Sequence, residues 1–267
     1  MLRDITIGQY FPGDSVIHKL DPRFKIVITI LYIVMLFSGG NYLCLAVGAV
    51  FTIGAILLSK IPLKMFVKSV KPLFIFLMIT AVINLFFMSR GNVLLHWKFI
   101  KITDEGVHTS VFMVIRIVLL IMGSSLLTYT TSPITLTDAI ERLLSPLRKI
   151  KFPVHELAMM MSIALRFIPT LIEETDKIMS AQKARGAEID TGSFTTRAKN
   201  LISILVPLFI SAFRRADELA TAMECRCYHG GEGRTRLRQL KSAPRDYIAL
   251  GVTVRFLAGV IVLGRLS

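Results

Sequence analysis

Cysteine is scarce in this sequence of 267 residues, which contains three. Two of them, Cys225 and Cys227, lie in a stretch that the charge pattern below predicts to be cytoplasmic. This usage excludes a disulfide framework and favours a reducing compartment. Histidine is also rare, and its five copies are dispersed. A membrane-embedded enzyme, which needs clustered His, Asp or Glu, is therefore disfavoured.

Acidic side chains are outnumbered, with 18 Asp and Glu against 32 Lys and Arg and a formal net charge of +14. Such a charge raises the question of nucleic acid binding. However, 53% of the residues are hydrophobic and the mean hydropathy is +0.62, which is too apolar for a soluble domain of this length. We therefore expect a lipid bilayer and acidic protein surfaces as neighbours, and no nucleic acid.

An apolar signal-peptide core is missing from the first 23 residues, which carry six charged side chains. We therefore expect membrane insertion to start from an internal apolar segment. A spanning helix needs about 20 mostly apolar residues. Five segments qualify as candidates, and they are Phe24–Phe37, Tyr42–Leu58, Pro72–Met88, Thr109–Tyr129 and Tyr247–Leu263.

The distribution of Lys and Arg in the connections predicts the orientation. The turn Ser38–Asn41 carries no charge and is predicted to lie outside. The connection after the second span contains four lysines and is predicted to be cytoplasmic, as is the N-terminus. Gly91–Gly106 is interpreted as a small extracytoplasmic hairpin or an interfacial loop.

A long basic insert follows the fourth span, and its 18 Lys and Arg exceed its 12 Asp and Glu between Ser132 and Arg245. Its pattern predicts three cytoplasmic helices, which are Thr135–Lys149, about Val154–Ala184 and about Phe194–Cys225. Pro169 and Pro207 should kink the two long ones. The predicted domains are residues 1–131 with four spans, 132–244 as the cytoplasmic coupling domain, and 245–267 as the last span.

The ends of the two long helices form an internal repeat. The first ends in Ala184-Arg185-Gly186 and the second in Cys225-Arg226-Cys227, and in each an Asp precedes the Arg by nine residues and an Ala by four. Small neighbours leave each guanidinium free to make forked hydrogen bonds in a partner's groove. The simpler interpretation is that Arg followed by a small residue is only a good helix C-terminus.

Several short motifs, weak singly but specific in combination, resemble the T component, the transmembrane scaffold, of energy-coupling factor importers. The motifs are LDPRFK at 20–25, PVHEL at 153–157, ALRFIP at 164–169, ARG at 184–186, CRCY at 225–228 and GGEGRT at 230–235. The resemblance covers most of the chain and implies a non-enzymatic scaffold without a cofactor in the cytoplasmic membrane.

The resemblance also implies the partners, which are two ABC-type ATPase subunits and a substrate-binding membrane S component. The Arg185 and Arg226 tripeptides would dock in grooves of the ATPases, and ATP-driven movement would tip the S component to release a vitamin or metal ion inside. In the second tripeptide, Cys flanks Arg226 where the family is expected to have Ala or Gly.

Other chemistries are less well supported. Gly8–Ser15 approaches a phosphate-binding loop, but Asp14 replaces the required Lys, and His155-Glu156 lacks the second His of a zinc-protease helix. Cys225, Cys227 and His229 could hold a soft metal but show no fourth ligand. Arg116 and Arg255 lie within apolar spans. Each is interpreted either as a functional residue or as a long side chain whose charged end reaches the membrane interface.

The sequence therefore predicts an all-α polytopic membrane protein with about five transmembrane helices and a coupling domain of three helices. The main alternative is a self-sufficient secondary carrier. That class should show acidic residues inside its spans, and the predicted spans contain none.

Overall fold

The computed structural model describes residues 10–87, 93–97, 100–186, 194–230 and 240–266. These residues are largely α-helical, as predicted. The helices are α1 (Pro22–Ser38), α2 (Tyr42–Ser59), α3 (Leu63–Val70), α4 (Phe74–Phe87), α5 (Asp104–Thr130), α6 (Pro133–Leu144), α7 (Val154–Ala184), α8 (Phe194–Glu224) and α9 (Pro244–Leu266).

A short antiparallel hairpin joins α4 to α5. Its strands are β1 (Val93–Trp97) and β2 (Ile100–Thr103), paired from Val93 with Thr103 to Trp97 with Ile100. The predicted hairpin is therefore present, and the side of the membrane on which it lies stays a prediction.

Five helical segments of the described residues are long and apolar enough to cross a membrane by length and composition: Tyr42–Ser59, Leu63–Phe86, Asp104–Thr130, Val154–Ala184 and Pro244–Arg265. Four of them overlap predicted spans, of which Pro72–Met88 ends outside the described residues. The fifth is α7, which the sequence predicts to be cytoplasmic. The first predicted span is α1, whose 17 residues extend roughly 25 Å, somewhat less than the hydrocarbon thickness.

Two of the spanning helices begin earlier than predicted and include acidic residues. Asp104 and Glu105 lie in the first turn of α5, and Asp246 lies in the first turn of α9. A carboxylate there is stabilised by the unpaired amide groups and the positive end of the helix dipole. These acids therefore mark helix starts, and they are not the mid-span carboxylates expected of a secondary carrier.

The chain divides into two compact units. The first, here called the bundle unit, comprises Gly8–Leu136 and Leu240–Ser267. The second, here called the paired-helix unit, comprises Met1–Ile7 and Thr137–Gln239. The assignment of membrane and cytoplasmic roles to these units, with the predicted domain limits, stays a prediction.

The core of the bundle unit is organised around Tyr32 of α1. Its hydroxyl donates a hydrogen bond to the carbonyl oxygen of Leu119 on α5, at 2.8 Å, and lies 2.7 Å from the hydroxyl of Thr52 on α2. α5 passes close to α1 at Gly123, where a Cβ atom would lie 2.2 Å from the Tyr32 ring. A glycine is required there because no side chain fits between the two helices.

A buried polar cluster joins the start of α1 to the start of α9. The Asp246 carboxylate accepts hydrogen bonds from the backbone N–H groups of Asp21, at 2.9 Å, and Ala243, at 2.6 Å. The ammonium group of Lys25 donates to the carbonyl oxygens of Thr130, at 2.8 Å, and His18, at 3.2 Å. Buried charges need such partners, so the cluster connects α1 with α5 and α9.

The paired-helix unit is built on antiparallel α7 and α8. The Glu174 carboxylate of α7 accepts hydrogen bonds from Ser211 and Arg215 of α8, both at 2.6 Å. Further along, the side-chain amide of Gln182 donates to the carbonyl oxygen of Ser203 at 3.3 Å. Contact partners thus run in opposite directions along the two helices.

Candidate docking sites at two helix ends

The C-terminus of α7 has the geometry of a glycine-terminated helix. Ala184 is the last helical residue, and Arg185 is the C-cap, whose amide donates to the carbonyl oxygens of Ala181 and Gln182 at 3.2 and 3.1 Å. Gly186 follows with a φ of +83°, and its amide donates to the carbonyl oxygen of Lys183 at 3.0 Å. A left-handed residue directly after the cap is the usual way to end a helix.

The C-terminus of α8 repeats this geometry. Cys227 has a φ of +56°, and its amide donates to the carbonyl oxygen of Glu224 at 2.8 Å, while the amide of Tyr228 reaches that of Met223 at 3.1 Å. These two bonds form a Schellman motif, in which Arg226 is the C-cap and Cys227 is the left-handed residue. The two arginines therefore occupy equivalent positions. A non-glycine residue such as Cys227 adopts the left-handed conformation only at a cost.

All six residues of the two tripeptides are exposed: Ala184, Arg185, Gly186, Cys225, Arg226 and Cys227. Each arginine lies where the last-turn carbonyls and the negative end of the dipole favour a cation. The matched spacing in the sequence thus corresponds to matched local structure. Whether either arginine contacts a partner stays a prediction.

The two arginines lie at opposite ends of the helix pair. Arg226 and the residues after it line a cavity together with Met159 and Ile163, near the start of α7. From Ile163 to Arg185 the helix advances 22 residues, or roughly 33 Å at 1.5 Å per residue. The tripeptides are therefore two separate sites on the paired-helix unit.

The metal-site alternative gains no support from the described residues, among which no group of three His, Cys, Asp or Glu could hold an ion. Cys225 and Cys227 are exposed free thiols. His155, set aside as part of an incomplete zinc motif, instead approaches Glu141 of α6, with Nδ1 3.0 Å from Oε1. It joins α6 to α7 within the paired-helix unit.

The two arginines inside apolar spans differ. The Arg116 guanidinium is buried, donates to the carbonyl oxygen of Gly39 between α1 and α2, and lies 4.5 Å from the centre of the Phe112 ring. It therefore stabilises that turn. Arg255, near the middle of α9, is exposed on the surface of the bundle unit. The segment 8–15 and the motif at 230–235 each include residues outside the described part of the chain.

Sequence reasoning missed the roles of Lys25, Tyr32 and Asp246. A signal was present for two of them, because Lys25 and Asp246 are ionisable residues at the very start of apolar helices. Such residues are retained at that depth only when they are paired. Tyr32 gave no comparable signal, since an aromatic residue in an apolar run is unremarkable.

The chain is similar to known proteins over almost its whole length. Residues 13–237 match the CbiQ family, described as cobalt transport protein. A protein of Clostridium kluyveri is 58% identical over 250 residues, covering 93% of each chain, and one of Ruminiclostridium cellulolyticum is 53% identical over 263 residues, covering 98% of each. A Bacillus subtilis protein is 45% identical over 246 residues, covering 92% of this chain and 93% of the relative's length.

All three relatives carry the name energy-coupling factor transporter transmembrane protein EcfT. The resemblance seen in the sequence motifs is thereby confirmed. With its apolar helices, the chain is a multi-pass membrane protein. It belongs to the CbiQ family of cobalt transport proteins, and its relatives there are transmembrane subunits of energy-coupling factor transporters.

Proposed function

We propose that this chain is the transmembrane scaffold of an ATP-driven energy-coupling factor importer of a vitamin or metal ion. In this proposal it is not an enzyme and has no cofactor. It links two ABC-type ATPase subunits to a membrane S component that binds the substrate. The observation that carries the proposal is the pair of equivalent arginine C-caps, Arg185 and Arg226, at opposite ends of α7 and α8.

The geometry supports two ATPase contacts. A left-handed residue is the usual end of a helix, but the cap itself needs only backbone groups, so capping alone does not require that both cap residues be exposed arginines. An exposed guanidinium can donate forked hydrogen bonds to carboxylate or carbonyl oxygens of a groove. Sites roughly 30 Å apart suit two similar subunits, each taking one helix end.

An exposed apolar face on α8 supports a membrane partner. Seven large apolar side chains between residues 201 and 213 are more than half exposed: Leu201, Ile202, Leu205, Val206, Phe209, Ile210 and Phe213. Such a contiguous face marks an interaction surface. In the proposal it lies against the S component and the bilayer, so that ATP-driven displacement of the helix ends moves this surface and tips the S component.

The proposal is tested by substrate uptake and ATPase activity of reconstituted complexes with Arg185→Ala, Arg226→Ala and the corresponding Glu substitutions. A charge-assisted hydrogen bond is worth about 1.5–3 kcal/mol, so each Ala variant should dock the ATPases about ten- to a hundredfold more weakly. Glu should be worse than Ala because it places a carboxylate at a helix C-terminus. The double Glu variant should lose uptake almost completely.

Arg214→Glu provides the matched control, since Arg214 is an exposed arginine of α8 away from both helix ends. It should leave uptake near the wild-type rate. Wild-type uptake by the double Glu variant would show that Arg185 and Arg226 are only helix caps. Uptake by the purified chain alone, driven by an ion gradient without ATPases, would favour the secondary carrier instead.

The proposed orientation places the N-terminus and the helix ends in the cytoplasm. In a cysteine-free background, a cysteine at Asn41 should react with an impermeant thiol reagent applied to whole cells. One at Thr191, which lies outside the described residues, should not. The reverse labelling pattern would contradict the orientation, which rests on the lysines of the connection between α2 and α4.

A further inference from the structure

An apolar groove of about 650 Å³ opens on the bundle unit between α2 and α9, with α1 behind it. Its walls include Ile28 of α1, Ala55 of α2 and Val252 of α9. The volume is within the range of small-molecule sites, but the lining offers almost nothing polar to a polar ligand. The occupant should therefore be a flexible hydrocarbon.

The polar atoms in the groove walls are already satisfied. Each of the four lining threonines donates its hydroxyl proton to the carbonyl oxygen four residues earlier in its own helix, at 2.8 or 2.9 Å: Thr29, Thr52, Thr130 and Thr253. A hydroxyl bonded in this way presents mainly its methyl group to the groove. Lipid-facing surfaces require this internal pairing, because hydrocarbon offers no hydrogen bonds.

The depth of the groove corresponds to one leaflet. It extends along α9 from Arg245 to Phe256, which are 11 residues or roughly 16 Å apart, about half of the 30 Å hydrocarbon thickness. It ends where the ring of Phe51 meets that of Phe256, with centroids 5.4 Å apart. Beyond this floor, α2 and α9 remain in contact through the Cys44 thiol and the Val260 carbonyl, at 3.6 Å. A partner helix that crosses the whole bilayer could not follow such a groove.

The mouth of the groove carries a cation. Arg245 lines it and is exposed, whereas the ammonium of Lys25 is already held by protein oxygens. The nearby carboxylate of Asp246 is buried and turned towards backbone N–H groups. An anionic headgroup at the membrane surface would therefore meet a guanidinium, which binds phosphate well.

We propose that this groove binds one acyl chain of an anionic phospholipid whose phosphate pairs with Arg245. The chain lies between α2 and α9 and ends against the aromatic floor. The site belongs to the bundle unit by itself, and it does not depend on the proposed transport function or on its partners.

The test is native mass spectrometry of the full-length protein in detergent, titrated with dioleoyl phosphatidylglycerol and, separately, dioleoyl phosphatidylcholine. Arg245→Gln should weaken phosphatidylglycerol binding roughly tenfold or more, the loss expected for one charge-assisted hydrogen bond. It should weaken phosphatidylcholine binding less, because the choline cation already offsets the charge of the same phosphate. Arg255→Gln is the matched control, an exposed arginine on the same helix that does not line the groove, and it should leave both affinities unchanged.

A second pair of variants tests the acyl chain. Val252 and Val254 are both 46% exposed on α9, but only Val252 lines the groove. Val252→Trp should fill the groove and weaken both lipids at least tenfold, while Val254→Trp should not. In the wild-type protein, a phosphatidylglycerol with a photoreactive group in mid-chain should label the peptide containing Ala249–Phe256. This measurement needs no variant, so it tests the site even where a substitution prevents folding.

The proposal would be overturned if Arg245→Gln and Arg255→Gln bound phosphatidylglycerol equally well, or if Val252→Trp and Val254→Trp had equal lipid affinities. Photolabelling of a different peptide would overturn it as well. Unchanged lipid binding by Val252→Trp, with loss of partner subunits in a pull-down, would assign the groove to a protein instead.

Discussion

Replacing Gly123 with alanine should damage the bundle unit far more than a single methyl group suggests. The added Cβ would lie 2.2 Å from Cε1 of Tyr32, 2.6 Å from Cζ and 2.9 Å from the hydroxyl oxygen. Carbon atoms pack favourably at about 3.5–4.0 Å, so the site is too narrow by more than 1 Å. Either α5 moves away from α1, or the ring leaves its place.

The ring cannot move without cost, because the hydrogen bond that its hydroxyl donates to the carbonyl oxygen of Leu119 would break. Overpacking costs about 1–3 kcal/mol and the lost hydrogen bond about 1 kcal/mol, so we expect Gly123→Ala to destabilise by about 2–4 kcal/mol. Thermal unfolding of the purified protein in detergent should show this as a fall in Tm of roughly 5–15 °C.

Two controls separate the steric clash with Tyr32 from a general effect of replacing glycine with alanine. A Cβ at Gly54 or Gly251 would meet nothing within 4 Å, so Gly→Ala there should leave the Tm unchanged or raise it slightly. Alanine favours the helix over glycine by up to about 1 kcal/mol. Tyr32→Leu should be destabilising by itself, and adding Gly123→Ala to it should then cost at least about 1 kcal/mol less than in the wild type. A wild-type Tm for Gly123→Ala, or full additivity in the double variant, would refute the steric argument.

Four further substitutions have definite expected outcomes. Gly186→Ala should destabilise the C-terminal turn of α7, and Cys227→Gly should stabilise that of α8, each by about 1–2 kcal/mol. Amide hydrogen exchange at those caps should change roughly five- to thirtyfold. No change at either cap would contradict the left-handed geometry. Asp246→Asn places an amide N–H₂ against a backbone N–H and should lower stability by about 1.5–3 kcal/mol, measured as a lower Tm. Glu174→Gln should increase hydrogen exchange where α7 meets α8, whereas Glu173→Gln, an exposed neighbour, should not; equal exchange would exclude the inter-helix contact.

Helix positions followed from local sequence patterns. Apolar runs of about 20 residues and the prolines beside them predicted the helices, and the limits of α7 and α8 were within one residue of those observed. Errors lay at the starts of α5 and α9, where charged residues in the first turn concealed the helix start. A charge at that place is favourable, because it meets unpaired amide groups and the helix dipole. The helix predicted over Thr135–Lys149 was also too long, because α6 ends at Leu144 and a 3-10 helix follows over Ser145–Ile150.

The equivalence of the two helix ends could also be predicted from the sequence, because the spacing of residues along a helix decides which of them lie at its C-terminus. The left-handed conformation of Cys227 was not predicted, because cysteine has no preference for it. It is imposed by the two Schellman hydrogen bonds that close the last turn of α8. Docking of the arginines stays a prediction, since the partners' grooves are encoded in other chains.

By itself, the sequence determined the membrane class, the helices, the family motifs and the two equivalent arginines. These features depend on forces that act over a few neighbouring residues: hydrophobic periodicity, helix capping and proline geometry. Only the tertiary structure decided that Asp21 meets Asp246, 225 residues away, that Gly123 admits the Tyr32 ring, and that α2 and α9 leave a groove one leaflet deep. Such contacts join distant segments, and their identity depends on how the helices pack, which no local pattern specifies.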